Sequence, residues 1–477
     1  MKKIIFYSWQ SDLPNNSNRG FIQNALQDAI NAISSDDSLQ LEPVLDRDTL
    51  GVAGSPDISA TIFNKIAESD LFVADISIIG RLDNGRTVPN PNVLIELGYA
   101  INSLGFDRII LVYNIAYGQI SDLPFDLRTR RITTYSMLSD AGEKAVPKKA
   151  LTRTLQDALL IALKLESKKE QESKIFDSSI QEIEDQKPGR KRKVRQELKQ
   201  FLDILDASCP PKFSQGGTVD NLIEAIKKAV SPLSSFARLC EIAAIISDEE
   251  IVLEISDWFG NIFERFDSPE GCQGPFRDED FDYYKFIGQE LYTILIACLL
   301  KEDKWPIIQL LVKRLIPVKF VRHENRGPGN IKLMGMAPFV RSLHNESPNR
   351  SRISIHSDLI KDHFNGSLSE LLTLDEYMNA DLLLFLVVEI APDKPHPFYS
   401  WRPMSLLYLR HVPNIFLKAH KISYAITLAN TCGLNNVDLF KERCIKRLDR
   451  INEIFGYQIR IWPFTAEDIN KIATTRD

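Results

Sequence analysis

Glu96 is the residue whose type and position could do chemistry most directly. It lies in Val88–Gly105, VPNPNVLIELGYAINSLG. Asn90 is a good N-cap, and Pro91 suits the first helical position because its φ is already helical and no hydrogen bond is lost there. The spacing therefore predicts a helix from Pro91 to about Leu104. Val93, Leu97, Ala100, Ile101 and Leu104 share one side of it. Glu96 falls at the flank of that stripe, roughly 90° from its centre, half withdrawn from water yet able to reach a cleft. Read from the helix alone, it could equally be an ordinary surface glutamate.

The partners available to such a carboxylate are restricted by composition. The first cysteine is Cys209 and the first histidine is His323. The first 200 or so residues thus exclude a Cys or His nucleophile, a Ser-His-Asp triad and a usual zinc site. What remains is carboxylates, hydroxyls, amides, arginines and backbone.

The elements that must position these groups alternate. Lys2–Trp9 reads as a buried strand ending in the polar QSDLPNNSN. A helix over about Arg19–Ile33 follows, with Ser17 or Asn18 as its cap. Leu39–Asp46 is a weaker strand; Asp46–Asp57 is a turn-rich loop, with Ser55 and Pro56 as cap and N1 of the next helix. Leu71–Ser77, Arg108–Tyr113 and Arg131–Tyr135 complete five strands, and a helix over about Lys148–Leu165 closes the unit. This alternation implies a flavodoxin-like, doubly wound parallel sheet, in which ligands sit outside the carboxyl ends of the strands. Ser8, Trp9, Gln10, Asp46–Asp48, Asp75 and Ser77 fall on that rim. Plainer roles compete for several: Asp46 and Asp48 as turn formers, Trp9 as a packing residue, Asp75 as a loop cap. Gly51 and Gly54 suggest a mobile loop over the site, which is weak ground for a phosphate cradle.

One half-buried carboxylate beside hydroxyls and an aromatic suits cleavage of an N-glycosidic bond. The sugar then passes through an oxocarbenium-like state that a fixed carboxylate stabilises more than the ground state. A pyridinium leaving group, as in NAD, needs no general acid, so one glutamate suffices without histidine. Tyr7 or Trp9 would stack on the base, and Arg47 or the arginines of Arg128–Arg131 would meet phosphates.

FYSWQSD on the first strand, ADIS on the third, PNPNVLIELGYA and LPFDLRTRRITTY resemble, in order and spacing, the prokaryotic TIR-like domains over about residues 1–165. That resemblance implies that Glu96 is catalytic, that Asp46–Asp57 stands where the family has its BB loop, and that the activity is NAD hydrolysis to nicotinamide and ADP-ribose or a cyclic product. It further implies assembly-dependent activation and an output in antiviral defence. The expected substrate-binding residues are Tyr7, Ser8, Trp9, Arg47, Asp48, Asp75, Asn92 and Arg130, with NAD as substrate, no cofactor and no metal. Nucleoside 2-deoxyribosyltransferases share a similar fold and glutamate, and some TIR domains are non-catalytic adaptors, so glycosyl transfer and simple nucleotide binding are the alternatives.

The whole chain has 477 residues, 44% apolar and 26% charged, with a net charge of -6. That describes a soluble protein of two or three domains and disfavours non-specific coating of nucleic acid. The longest apolar runs, LYTILIACLL and DLLLFLVV, are too short to cross a bilayer, no apolar signal opens the chain, and six cysteines suggest free thiols in a cytoplasmic protein. Residues 166–217 read as a charged linker passing into a helix, with the basic run Lys187–Arg195 solvated. Residues 218–477 read as mainly helical, with loops at HENRGPGN and APDKPHPFYSWRP, no constant repeat and no metal signature. His411 and His420 read as structural. By elimination that part is a sensor, an oligomerisation body or a surface for a partner protein.

Overall fold

Short apolar runs that end in polar residues have become parallel strands, and the stretches between them helices, over the first third of the chain. The computed structural model describes residues 2–35, 42–46, 57–83, 85–266, 276–321, 327–331, 339–345, 354–391, 401–455 and 464–476. The chain divides into two compact units, Met1–Glu170 and Gln171–Asp477.

The first unit runs β1 (Lys2–Ser8), α1 (Arg19–Ser34), β2 (Glu42–Asp46), α2 (Ile58–Ala67), β3 (Leu71–Asp75), β4 (Ile78–Arg81), β5 (Thr87–Pro89), α3 (Pro91–Leu104), β6 (Ile109–Asn114), the single turn α4 (Phe125–Arg128), β7 (Ile132–Tyr135) and α5 (Ala145–Ser173). Five strands form one all-parallel sheet in the order β2-β1-β3-β6-β7. Side chains alternate between its faces, as strand geometry requires. Ile5, Tyr7, Leu71, Val73 and Val112 pack with α1 and α5, whereas Phe6, Phe72, Ala74, Leu111 and Tyr113 pack with α2 and α3. The long connection leaving β3 is not a plain loop, because β4 and β5 pair there as an antiparallel hairpin. α2 takes its cap from Asp57, whose carboxylate accepts from the Ala60 N–H at 3.0 Å. The cap and N1 expected of Ser55 and Pro56 lie outside the described residues.

The second unit is helical: α6 (Asp177–Glu184), α7 (Arg190–Ser208), α8 (Val219–Lys228), α9 (Val230–Ile246), α10 (Glu249–Phe263), α11 (Asp282–Lys301) and α12 (Trp305–Lys313), then a hairpin of β8 (Ile316–Val321) and β9 (Gly327–Ile331). α13 (Ser342–Asn345), α14 (Ile355–His363), α15 (Leu374–Ile390), α16 (Asn414–Lys418), α17 (Ile422–Thr431), α18 (Val437–Phe455) and α19 (Ala466–Asn470) follow. α11 is its axis, since every residue from Asp282 to Leu300 is buried, including the polar Asp282, Lys285, Gln289 and Glu290 of its first half. Among the described residues no single helix is long and apolar enough to cross a membrane.

Two expectations change here. The stretch read as a charged linker is built into this unit: Val194, Leu198, Phe201, Leu202 and Leu205 of α7 are buried in its core. The run Lys187–Arg195 is matched by acids on α10 and its cap, with Arg190 Nε 2.5 Å from Asp248 and Arg195 bidentate to Glu254 at 2.5 and 2.7 Å. Its charge disguised how much of the expected helix is buried. GPGN of the expected loop HENRGPGN belongs to β9.

Leu198→Ala is expected to lower the unfolding free energy of the second unit by about 2–5 kcal/mol. Urea denaturation followed by tryptophan fluorescence measures this; an unchanged midpoint would return α7 to the status of a solvated linker.

Candidate active site

α3 begins and ends where its sequence says. Asn90 Oδ1 accepts from the N–H groups of Asn92 at 2.9 Å and Val93 at 3.1 Å, and its amide donates to Asp12 Oδ2 at 2.6 Å. The cap thus also holds the start of α3 against the loop that leaves β1. Val93, Leu97, Ala100 and Leu104 are buried against the sheet. Glu96 stands at the edge of that stripe, half-buried, and Ser8 Oγ donates to its Oε2 at 2.5 Å. Ser8 is the last residue of β1 and shares a face with Phe6, so the strand's alternation aims its hydroxyl toward α3.

Burial raises the Glu96 pKa above the ordinary 4.5, and the Ser8 hydrogen bond pulls against that rise by favouring the charged form. Among the described residues no lysine or arginine pairs with it, and none donates a hydrogen bond to Oε1. A carboxylate is therefore held in one orientation with one oxygen open and its charge not cancelled. Asn92 is exposed one helical turn before Glu96 and on the same face.

The structure brings Ser8, Asn92 and Glu96 together and distributes the other expected residues elsewhere. Tyr7 is fully buried on the α1/α5 face, with its hydroxyl 3.4 Å from the Arg19 carbonyl, so it cannot stack on a base at Glu96. Trp9 packs against that same core, and the Arg19 guanidinium covers its ring at 3.4 Å from the centroid. Arg130 precedes β7 and stacks over Phe106 at 3.8 Å, beyond the end of α3. That is the amino-terminal edge of the sheet, about 12 Å or more along the helix from Glu96. Arg47 and Asp48 lie outside the described residues, as does most of the Asp46–Asp57 loop. Asp46 itself is engaged by Lys65 Nζ at 2.8 Å.

Asp75 is not a surface for substrate. It is wholly buried and accepts from Gln10 Nε2 at 3.1 Å, Asn18 Nδ2 at 3.2 Å, and the Ser77 N–H and Oγ at 3.1 and 2.5 Å. Burial raises its pKa, and these donors oppose the rise. Asn18 spends its side chain here rather than on the α1 cap, because its Oδ1 accepts from Asn114 Nδ2 at 3.0 Å. Asn114 also donates to the Met137 carbonyl at 2.8 Å, and the Tyr135 hydroxyl donates to the Ser17 carbonyl at 2.8 Å. The sequence hinted at this network only through amides and hydroxyls recurring at strand ends.

No protein-family model, no curated protein and no solved structure matches the chain.

Because Glu96 binds its proton more tightly in the folded state than in the unfolded chain, its stabilising contribution is complete below the ordinary pKa. It disappears as pH rises through the raised one. Glu96→Gln, which keeps an acceptor for Ser8 without a charge to desolvate, is expected to have a higher urea midpoint than wild type at pH 7. The difference should close near pH 4 or about there. A less stable Gln variant at pH 7 would contradict the assignment. In a carboxyl NMR titration, Ser8→Ala is expected to raise the Glu96 pKa further, by removing the donor that favours the ionised form.

Proposed function

We propose that the first unit is a TIR-like domain that hydrolyses the N-glycosidic bond of NAD, with Glu96 as its catalytic residue. The observation that carries this reading is the half-buried Glu96 carboxylate, fixed by Ser8 through Oε2, with no cation and no donor to Oε1 among the described residues. When the bond to nicotinamide breaks, positive charge develops at the anomeric carbon. A negative charge already oriented in a partly dry site stabilises that state without reorganising. Nicotinamide leaves as a neutral base, so no proton donor is required, and the absence of histidine from the first unit is no obstacle to the reaction. A paired lysine would have cancelled the attraction; Ser8 orients the carboxylate and helps keep it ionised without doing so.

The sheet order supports the fold half of this reading. Counting only its five strands, the order is 2-1-3-4-5, the flavodoxin-like doubly wound arrangement, with the first and third strands side by side at the switch point. Ser8 and the start of α3 lie at that position, where such folds bind ligands. Asn92 is the second polar group suited to a ribose hydroxyl. The resemblance of the sequence motifs to TIR-like domains supplies the substrate and the expectation that neighbouring copies complete the site. In that reading the chain is a defence effector, and the helical unit is the part that senses a trigger or meets a partner.

The test is nicotinamide release from NAD by the full-length protein across a wide concentration range, wild type beside Glu96→Gln. Activity is expected to rise more steeply than linearly with protein and to fall by about 100-fold or more in the variant. NAD binding should be retained. Full turnover by Glu96→Gln would refute the assignment, and exchange of free bases on nucleosides with NAD untouched would point to glycosyl transfer instead.

A further inference from the structure

The second unit carries an open groove of about 450 Å³ between the start of α12 and the corner formed by α16 and α17. Its volume lies within the range of small-molecule sites. Trp305 and Tyr424 form its aromatic wall, edge to face with centroids 5.2 Å apart. Lys418, Lys421, Ser423 and Thr427 complete its lining, and the Thr427 hydroxyl donates to the Ser423 carbonyl at 3.0 Å. Tyr424 and Lys418 also border an adjoining cavity of about 170 Å³.

The charges in the groove do not cancel. Lys418 Nζ is 3.3 Å from Asp303 Oδ1, an exposed pair that water screens and that an anion can share. Asp303 is held at the groove by its turn, with φ of 50° between α11 and α12. Lys421 is exposed and has no ion-pair partner among the described residues. It directly precedes α17, whose N-terminal peptide dipoles add to the positive potential. Arg190, Arg195, Arg265 and Arg314 of this unit are each clasped by a carboxylate, which leaves their charge unavailable to a ligand.

We propose that this groove is a binding site for a nucleotide, with the ring against Trp305 and Tyr424 and the phosphates at Lys418 and Lys421. The combination selects that class. Two lysines match phosphate oxygens, and aromatic edges favour a planar ring over an aliphatic anion. A concave site of this size encloses a small molecule, whereas an acidic protein would require a broader basic face. The site is independent of NAD cleavage in the first unit.

The experiment is isothermal titration calorimetry of the full-length protein with adenine, guanine, cytosine and uracil mono- and triphosphates, and with adenosine and pyrophosphate alone. At least one nucleotide is expected to bind more tightly than its nucleoside and than pyrophosphate, and to weaken as salt is raised. Lys418→Ala with Lys421→Ala, both at exposed positions, should reduce its affinity by about tenfold or more. Tyr424→Leu should weaken the nucleotide but leave pyrophosphate unaffected. A nucleotide held in the first unit would be indifferent to these two lysines, so loss of affinity in the double lysine variant separates this site from that one. Absence of binding by every nucleotide, or affinity unchanged in the double lysine variant, would each overturn the proposal.

Discussion

A buried carboxylate without a cation is the constraint on which the first unit's rim depends. Asp75 is removed from water, and a charge in that position is costly unless donors already point at it. Gln10, Asn18 and Ser77 are those donors, and each is tied further. Gln10 Oε1 accepts from the Leu13 N–H at 2.9 Å, and Asn18 Oδ1 accepts from Asn114, which in turn reaches the Ser17 and Met137 carbonyls. One connected set of hydrogen bonds therefore joins the loop after β1, the start of α1, the turn after β3, the end of β6 and the segment beyond β7. Ser8 lies between a sheet strand and Gln10, so both sides of it are fixed. That immobility makes its hydroxyl a dependable donor to Glu96.

The two faces of the sheet divide the labour. On the α1/α5 side, Asp75, Asn18 and Asn114 form a network in which nearly every donor meets an acceptor, and such satisfied networks rigidify rather than react. On the α2/α3 side, the Ser8–Glu96 pair is incomplete by comparison, with one carboxylate oxygen open. Strand periodicity alone separates the two roles, because Tyr7 and Ser8 are neighbours in sequence and belong to opposite faces. Polar residues on one rim are thus of two kinds, and only those facing α3 are placed to meet a ligand beside Glu96.

That distinction explains what the sequence disclosed. α3 was legible to the residue, because Asn90, Pro91 and the stripe through Leu104 act locally and agree with one another. The five strands were legible because buried parallel strands are continuous apolar runs. Sidedness at the strand ends was not. Tyr7, Trp9 and Asp75 have the composition of ligand-binding residues, but period-two alternation and the Arg19 stack placed them in the interior network or core. Arg130 failed for another reason: a residue entering a strand and a residue leaving one are close in sequence yet a full strand apart in space. The β4–β5 hairpin was hidden by its brevity. The burial of α7, though not the helix itself, was hidden by charge, since the lysines and arginines of its first turns mask the apolar period beneath them until their partners on α10 are known.

The fate of α7 also shows how charge should be read in this protein. A basic run suggests a polyanion surface when its cations are free, but Arg190 and Arg195 end on Asp248 and Glu254, so their charge is spent on joining two helices. Ion pairing of this kind is a way of closing a surface, leaving neither field nor donors for a ligand. Glu96 in the first unit and Lys421 in the second are the converse, each a charge left without an opposite within reach among the described residues. A group left unneutralised retains the free energy that a charged substrate or transition state can use, whereas one clasped by an opposite charge has already spent it.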